Sequence, residues 1–145
     1  MRSDNEGKGF ILQGDLNAWL GKKIIKNDPR DQNKNGKLME DFVKRNELTV
    51  VNSLSICKGL ITRSRKYKDT SEKSILDFFV VCKRVLALVK SMTVDEEKKD
   101  VPTNYRAVKY GGKAVDSDHV MIELNLNLKI APTKPTRTVI FNFKN

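Results

Sequence analysis

The sequence predicts a mixed α/β (α+β) fold, and three stretches of the chain carry this prediction. Ser74–Val81 is an apolar, β-branched run of the length of one strand, which is typical of a central strand buried on both faces. Apolar residues recur at helical spacing between Leu38 and Val43, with charged residues on the other side. From Val120 to Leu128 apolar and polar residues alternate, which is the period of a half-buried strand.

The first half of the chain holds one further strand on each side of the helix. Phe10–Gln13 is a short apolar run ended by Gly14, so we expect a buried strand that enters a loop. Asn33 or Asn35 can cap the helix, which we expect to run for about three turns. Leu48–Asn52 is short and β-branched, and it predicts a strand.

The second half adds smaller elements around the central strand. Val85–Val89 predicts a short helix, and Ser91–Val94 predicts a further strand. Asp95–Lys113 is rich in charge and predicts a mobile loop. Thr138–Phe143 is strand-like in composition, and we expect either a strand or a tail there.

Composition excludes several classes of protein. The chain has 145 residues, 39% of them hydrophobic and 32% charged, which is typical of one globular domain with a buried core. It contains no apolar run that approaches the roughly 18 residues of a membrane helix, and the first six residues lack the apolar region of a secretory signal. Cys57 and Cys82 lack the spacing of metal ligands. We therefore expect an intracellular protein, nuclear or cytoplasmic, that does not bind membranes.

The net charge is +10, from 28 basic and 18 acidic residues, which favours a polyanionic partner. The segment Lys58–Lys68 contains five basic residues and no acidic one. On charge alone the segment is equally compatible with a solvated loop and with contacts to a phosphate backbone.

Polar residues stand where three predicted strands begin or end. Asp77 lies inside an apolar strand, where a carboxylate costs several kcal/mol unless it is paired (about 3–5 when a partner is lost). His119 is the only histidine of the chain and the obvious partner, and such a contact fixes the tautomer of the ring. Asp15, Asn17 and Asp118 would supply an amide and hard carboxylate oxygens nearby, which suit Mg²⁺ or Mn²⁺.

These motifs together resemble a known superfamily. Gly14–Ala18, Ser74–Phe78 and Ser117–His119 match, in order and rough spacing, the second half of the endonuclease/exonuclease/phosphatase superfamily. The most similar subgroup is the endonuclease domain of non-LTR (LINE-type) retrotransposons, which is itself similar to apurinic/apyrimidinic endonucleases. Four further stretches look like that subgroup, the last of them like the stretch that leads toward the reverse transcriptase: Asn35–Leu38, Leu48–Ser53, Gly59–Arg63 and Phe141–Asn145.

The resemblance implies a role for each polar residue. Asp15 would orient or deprotonate the attacking water, and Asn17 would bond the scissile phosphate. Asp77 would hold His119, which would contact the phosphate and stabilise the developing charge. Asp118, together with Asp15, would bind the metal ion, Mg²⁺ or Mn²⁺. The implied activity is a metal-dependent phosphodiesterase that nicks DNA and leaves a 3′ hydroxyl, which primes reverse transcription.

The resemblance also implies a nucleic-acid-binding set and partners. Thr62 matches a hydroxyl that such domains place near the DNA, and the basic segment adds Arg63, Arg65, Lys66 and Lys68. DNA is the expected partner, and a reverse transcriptase domain is a possible neighbour in the full-length protein.

The departure from the family is as informative as the match. In the family the first half of the domain supplies an Asn, the main metal-binding Glu and a Tyr or His near the phosphate, and none of these is present here. The resemblance covers most of residues 9–130. It implies that residues 1–130 are the C-terminal part of such a domain and residues 131–145 a tail or linker. The implied fold is part of a β-sandwich of two mixed sheets flanked by helices, without its N-terminal half.

Two alternatives to an active endonuclease remain. The first is a remnant of such a domain that binds nucleic acid or protein without cutting, which the missing Glu favours. The second is a phosphatase of the superfamily that acts on a small substrate, such as an inositol phosphate or a sphingolipid. The basic segment and the retrotransposon-like stretches favour nucleic acid over the small substrate.

Overall fold

The computed structural model describes residues 8–99, 106–108 and 114–128. Among these residues there are ten strands, two helices and one 3-10 turn at Val51–Ser53. The strands are β1 (Ile11–Asp15), β2 (Leu48–Val50), β3 (Cys57–Lys58), β4 (Arg63–Tyr67), β5 (Thr70–Ser74), β6 (Asp77–Cys82), β7 (Val89–Val94), β8 (Arg106–Val108), β9 (Ala114–Asp116) and β10 (Ile122–Leu126). The helices are α1 (Lys34–Arg45) and α2 (Lys83–Leu86). The mixed α+β class is confirmed.

Two three-stranded sheets form the framework. The first has the order β1-β6-β2 and is antiparallel, and the second has the order β10-β7-β3 and is mixed. Two further pairs of antiparallel strands, the hairpin β4-β5 and the pair β8-β9, form separate two-stranded sheets. Among the described residues, no helix has the length and apolar character needed to cross a bilayer.

β6 lies at the centre of the first sheet, and successive side chains enter two different cores. Phe78 and Val80 pack with residues of α1 and of the loop before it. Phe79 and Val81 pack with β7 and β10 of the second sheet. Successive side chains of a strand point to opposite faces, so β6 is covered on both. The predicted central strand is confirmed, although it begins at Asp77 because Ser74 ends β5.

Helix α1 is confirmed with its predicted cap and length. The side-chain oxygen of Asn33 accepts a hydrogen bond of 2.7 Å from the backbone N–H of Gly36. Gly36 packs so closely on the backbone of Trp19 that a Cβ there would overlap the Trp19 carbonyl oxygen. Met39 is buried, whereas Leu38 on the other side is 60% exposed. The helix therefore contacts the domain through Gly36 and Met39.

The prediction that β1 is a buried strand is wrong. Leu12 packs against the first core, but Ile11 is 43% exposed and Phe10 is exposed to the same degree. β1 pairs only with β6, and no described strand pairs with its outer edge. It is therefore an edge strand with one face partly open.

Most of the smaller predicted elements are found with shifted bounds. The strand predicted at Leu48–Asn52 ends at Val50 and passes into the 3-10 turn. The short helix begins and ends earlier than predicted, and β7 already begins at Val89. In β10 the apolar side chains of the alternating run face the second core, as predicted. Cys57 and Cys82 are free and half-buried.

Two predictions concern segments that are only partly described. Within the predicted loop Asp95–Lys113, residues 106–108 form a strand that pairs with β9. Residues 138–143 lie outside the described residues, as does the boundary at residue 130, so both remain predictions.

The basic segment Lys58–Lys68 is not simply a loop. Most of its charge stands on β4, which pairs with β5 in a regular antiparallel ladder. In this ladder Arg65 lies directly opposite Glu72, a pairing of opposite charge that favours the hairpin.

Candidate active site at the ends of β1 and β6

The site begins with two carboxylates that the sheet register brings together. β1 and β6 are antiparallel, and Asp15 is the direct cross-strand partner of Asp77. Direct partners point to the same face, because side chains alternate along both strands. The end of β1 therefore meets the beginning of β6 with both carboxylates on one side.

His119 joins the two carboxylates from a third segment. Its Nδ1 lies 2.9 Å from Asp77 Oδ2, and its Nε2 lies 3.9 Å from Asp15 Oδ2. The Asp77 side chain is 16% exposed and the His119 side chain 31%, so the pair sits at the surface with its carboxylate largely covered. Because a carboxylate accepts a proton donor, the contact selects the Nδ1–H tautomer and leaves Nε2 on the Asp15 side. The geometry predicted for Asp77 and His119 is present.

The backbone of Asp77 is held by two buried polar side chains. The Thr62 hydroxyl oxygen accepts hydrogen bonds from the N–H groups of Leu76 and Asp77, at 2.9 and 3.0 Å. The Asn52 side chain donates to the Asp77 carbonyl oxygen and accepts from the N–H of Phe79, both at 3.1 Å. The backbone around Asp77 is therefore held in place independently of the contact between its side chain and His119.

Asn52 was missed as a site residue in the sequence. In the sequence it lies at the end of the β-branched run that begins at Leu48, within one of the stretches that resemble the retrotransposon subgroup. In the structure it is buried and bonded only to the backbone of β6. A side chain that satisfies backbone groups leaves no pattern in a single sequence, because any β6 sequence would present the same groups.

Thr62 also positions His119. Its carbonyl oxygen accepts a 2.8 Å hydrogen bond from the N–H of Val120, and the N–H of Ser64 donates to the Asp118 carbonyl at 2.8 Å. The segment around His119 thus lies alongside β4, where Arg63 and His119 form an isolated antiparallel bridge. The resemblance places the Thr62 hydroxyl near the DNA, and in the structure this residue is completely buried with its hydroxyl occupied by backbone N–H groups.

Asn17 lies in the turn that follows β1. It has a left-handed backbone (φ 46°), and its N–H donates to Asp15 Oδ1 at 2.9 Å. Its carbonyl oxygen accepts from the side chain of Asn35 at 3.1 Å. This turn chemistry, in which an Asp side chain bonds the backbone two residues on, leaves the Asn17 side chain exposed beside Asp15.

Asp118 is paired with Arg63. Its Oδ2 accepts a 2.8 Å hydrogen bond from the Arg63 Nε, and the two form an ion pair. Burial raises the pKa of Asp118, but the hydrogen bond and charge of Arg63, with a smaller effect of His119, outweigh it and hold the pKa below its usual range. The carboxylate is therefore ionised and already neutralised by a cation.

The donor set does not fit a complete Mg²⁺ site. Among the described residues, no group of three or more His, Cys, Asp or Glu side chains is arranged to hold a metal ion. Mg²⁺ favours oxygen ligands in octahedral geometry, and here Asp15 offers a carboxylate while Asp118 is engaged by Arg63. The structure does not join Asp15 and Asp118 in one ligand cluster.

The predicted nucleic-acid-binding residues divide into two groups. Arg63 is half-buried and forms an ion pair with Asp118, so in this structure it holds that carboxylate in place. Arg65 and Lys66 are exposed on β4, and Lys68 is exposed in the turn to β5. The hairpin β4-β5 therefore presents three basic side chains to solvent.

The chain was compared with protein families, curated proteins and solved structures. No family profile matches it, and no curated protein matches it. Among solved structures, the chain is similar to the endonuclease domain of TRAS1, a telomere-specific non-LTR retrotransposon, with a TM-score of 0.55 and 21% sequence identity. The match covers 83% of this chain and 44% of that domain.

This likeness establishes the fold. The chain has an architecture similar to part of a retrotransposon endonuclease domain, as the sequence motifs predicted. It spans less than half the length of that domain.

Proposed function

We propose that the chain carries part of the active site of a metal-dependent phosphodiesterase that nicks DNA, of the retrotransposon endonuclease type. The observation that carries this proposal is the Asp77–His119 pair, with its Nδ1–Oδ2 distance of 2.9 Å, beside Asp15 at the end of the first sheet. A carboxylate that holds a histidine next to a second, half-exposed carboxylate is a typical arrangement for acid–base chemistry. The nuclease-like fold supports a nucleic-acid substrate.

The proposed chemistry follows from the different surroundings of the two ring nitrogens of His119. Asp77 fixes Nδ1, so Nε2 is available to donate to an oxygen of the scissile phosphate and to stabilise the charge that develops there. The Nε2 of His119 and Oδ2 of Asp15 are 3.9 Å apart, too far for a direct hydrogen bond, and a water between them could accept from Nε2 and donate to the carboxylate. Asp15 is then placed to orient the attacking water. The exposed amide of Asn17, in the adjoining turn, would donate to the same phosphate.

A Mg²⁺ or Mn²⁺ ion belongs to the proposal, and it would neutralise charge on the phosphate. Asp15 is the carboxylate best placed to contribute a ligand, whereas Asp118 is paired with Arg63. Further ligands would have to come from outside the described residues. A reverse transcriptase as neighbour stays an expectation that rests on the family resemblance.

One observation favours a second candidate function, binding without cleavage. The described residues lack a metal-ligand cluster, while the exposed basic residues of β4-β5 remain in place. A chain of this kind would retain affinity for DNA because phosphate contacts supply most of the non-specific binding energy.

Plasmid nicking tests the two candidates. Supercoiled plasmid is incubated with Mg²⁺ and the wild-type chain, Asp77→Asn, His119→Ala or the control Glu47→Gln, an exposed acid after α1. Under the endonuclease proposal, the nicking measured with the wild type is retained by the control and falls about 100-fold or more in both site variants. Nicking that persists in both site variants would contradict the site. DNA binding without nicking in the wild type would support the binding-only function.

A further inference from the structure

A second basic surface lies outside the predicted binding set, in the loop between β1 and α1 and in the first turn of α1. It consists of five exposed lysines, named here the loop lysines: Lys22, Lys23 and Lys26 of the loop, and Lys34 and Lys37 of the first turn of α1. Two acidic residues occur between the first and last of them, and one of these, Asp28, is buried. Asp31 is exposed, so the surface carries a clear excess of positive charge.

The loop is held in place by buried contacts. The carboxylate of Asp28 accepts hydrogen bonds from the N–H groups of Gly21 and Arg30, at 3.0 and 2.9 Å. Ile25 and Leu20 are buried in the first core. Because Asp28, Leu20 and Ile25 stabilise the loop from inside, its lysines are held at defined positions on the surface.

Two sets of contacts connect the loop to the candidate site and to the basic hairpin. Asn33 and Asn35 donate side-chain hydrogen bonds to the Asn17 carbonyl oxygen, at 3.5 and 3.1 Å. At the other side, Arg30 donates from Nε to the Lys73 carbonyl at 3.2 Å and forms an ion pair with Glu72. The loop therefore reaches from the turn beside Asp15 to β5.

We propose that the loop lysines bind the phosphate backbone of double-stranded DNA next to the candidate site. The inference rests on the proposed function and extends it, because it assigns a binding surface to a loop on a different segment from β4. Duplex DNA carries one phosphate charge per about 1.7 Å of its axis, so several spaced lysines can each contact a phosphate. Arg65 and Lys66 on β4 form another basic surface, on the hairpin that the loop contacts through Arg30.

The test compares two triple variants that each lose three positive charges. Lys22→Ala/Lys23→Ala/Lys26→Ala changes the loop. Lys83→Ala/Arg84→Ala/Lys90→Ala is the matched control: its residues are also exposed, and they lie on α2 and β7, beyond the end of β6 opposite to Asp77. Affinity for a short fluorescein-labelled DNA duplex is measured by fluorescence anisotropy over a series of KCl concentrations, after circular dichroism has shown that all chains are folded.

Each lost phosphate contact decreases the steepness of the negative slope of log K against log salt by about 0.9, so three lost contacts decrease it by about 2.7. We expect this decrease in the loop variant and a nearly unchanged slope in the control. The chain has a single tryptophan, Trp19, whose ring lies 5.1 Å from the Arg30 guanidinium. Its fluorescence gives an independent signal, which should change when DNA binds the wild type or the control.

Two results would overturn the inference, and they are distinguishable from failure of the proposed function. If the wild type binds DNA and the loop variant keeps its slope, the loop lysines do not contact the phosphates. If both triple variants lose affinity equally, the effect is that of net charge and not of a surface. If the wild type does not bind duplex DNA at all, the proposed function fails as well.

Discussion

At the scale of single residues, Thr62 connects the two members of the Asp77–His119 pair. Its hydroxyl bonds the backbone before and at Asp77, and its carbonyl bonds the residue after His119. Thr62→Val keeps the shape but leaves the buried N–H of Leu76 and the partly buried N–H of Asp77 without an acceptor, and each buried group left unsatisfied costs about 1–3 kcal/mol of unfolding free energy. We expect this loss in urea denaturation and a smaller one in Thr62→Ser, which retains the hydroxyl.

A second measurement shows whether Thr62 positions the His119 ring in addition to stabilising the fold. Since His119 is the only histidine, the nitrogen resonances of its ring are unambiguous in NMR and report the tautomer. We expect Thr62→Val to alter them and Thr62→Ser to preserve the wild-type pattern. Identical ring spectra in wild type and Thr62→Val would show that Thr62 only stabilises the fold.

The ion pair of Asp118 and Arg63 predicts a dependence of stability on pH. The pKa of Asp118 is lower in the folded state than in the unfolded chain, so its contribution is present above about pH 4 and is lost as the pH falls through the folded-state pKa. Asp118→Asn should therefore lower the unfolding free energy at about pH 7 and lower it less at about pH 3. Asp31→Asn, at an exposed position, serves as the control. An equal loss at both pH values would contradict the ion pair as the cause.

The sequence allowed the Asp77–His119 contact to be predicted but not what surrounds it. A carboxylate in an apolar strand requires a partner, and the chain offers one histidine, so the pair follows from physical cost. The roles of Thr62 and Asn52 depend on backbone groups that every residue carries, and they need the three-dimensional register. Asp118 was assigned to the metal because no pattern in the sequence indicated that Arg63 would reach it.

At the scale of elements, β6 was predictable and β1 was not. The unbroken apolar run of β6 requires cover on both faces, and the two cores supply it. Phe10–Gln13 has the same apolar character, but burial of a strand depends on neighbours that its own residues do not specify. β1 has a partner only on the β6 side among the described strands, and for that reason Ile11 stays exposed.

Helix α1 gives an element-scale prediction. A methyl group at Gly36 would collide with the Trp19 carbonyl, and backbone has to move to admit it. Although Ala is the better helix former, Gly36→Ala should lower the unfolding free energy by about 1–3 kcal/mol, as overpacking does. Leu38→Ala on the exposed side of the same helix should change it by about 0.5 kcal/mol or less. Urea denaturation distinguishes them, and equal stability of Gly36→Ala and wild type would contradict the close packing.

At the scale of the whole molecule, exposed basic residues stand on segments that contact the candidate site. The +10 net charge was predicted to favour a polyanion, but only the structure shows that exposed basic residues of the loop and the hairpin stand on segments joined to the Asp15 turn and to His119. The loop and the hairpin β4-β5 are distant in sequence, and the contacts of Arg30 with β5 link them. Such an arrangement cannot be obtained from a charge count, because it depends on how the segments fold back on one another.

We propose that DNA binds at the end of the first sheet, where Asp15, Asp77 and His119 meet. The most direct measurement is an NMR titration of the isotope-labelled chain with a short DNA duplex, in which the ring resonances of His119 are followed. We predict that they shift progressively to saturation, with the same affinity that anisotropy gives. Saturable DNA binding that leaves the His119 ring resonances unchanged would place the DNA elsewhere and contradict the claim.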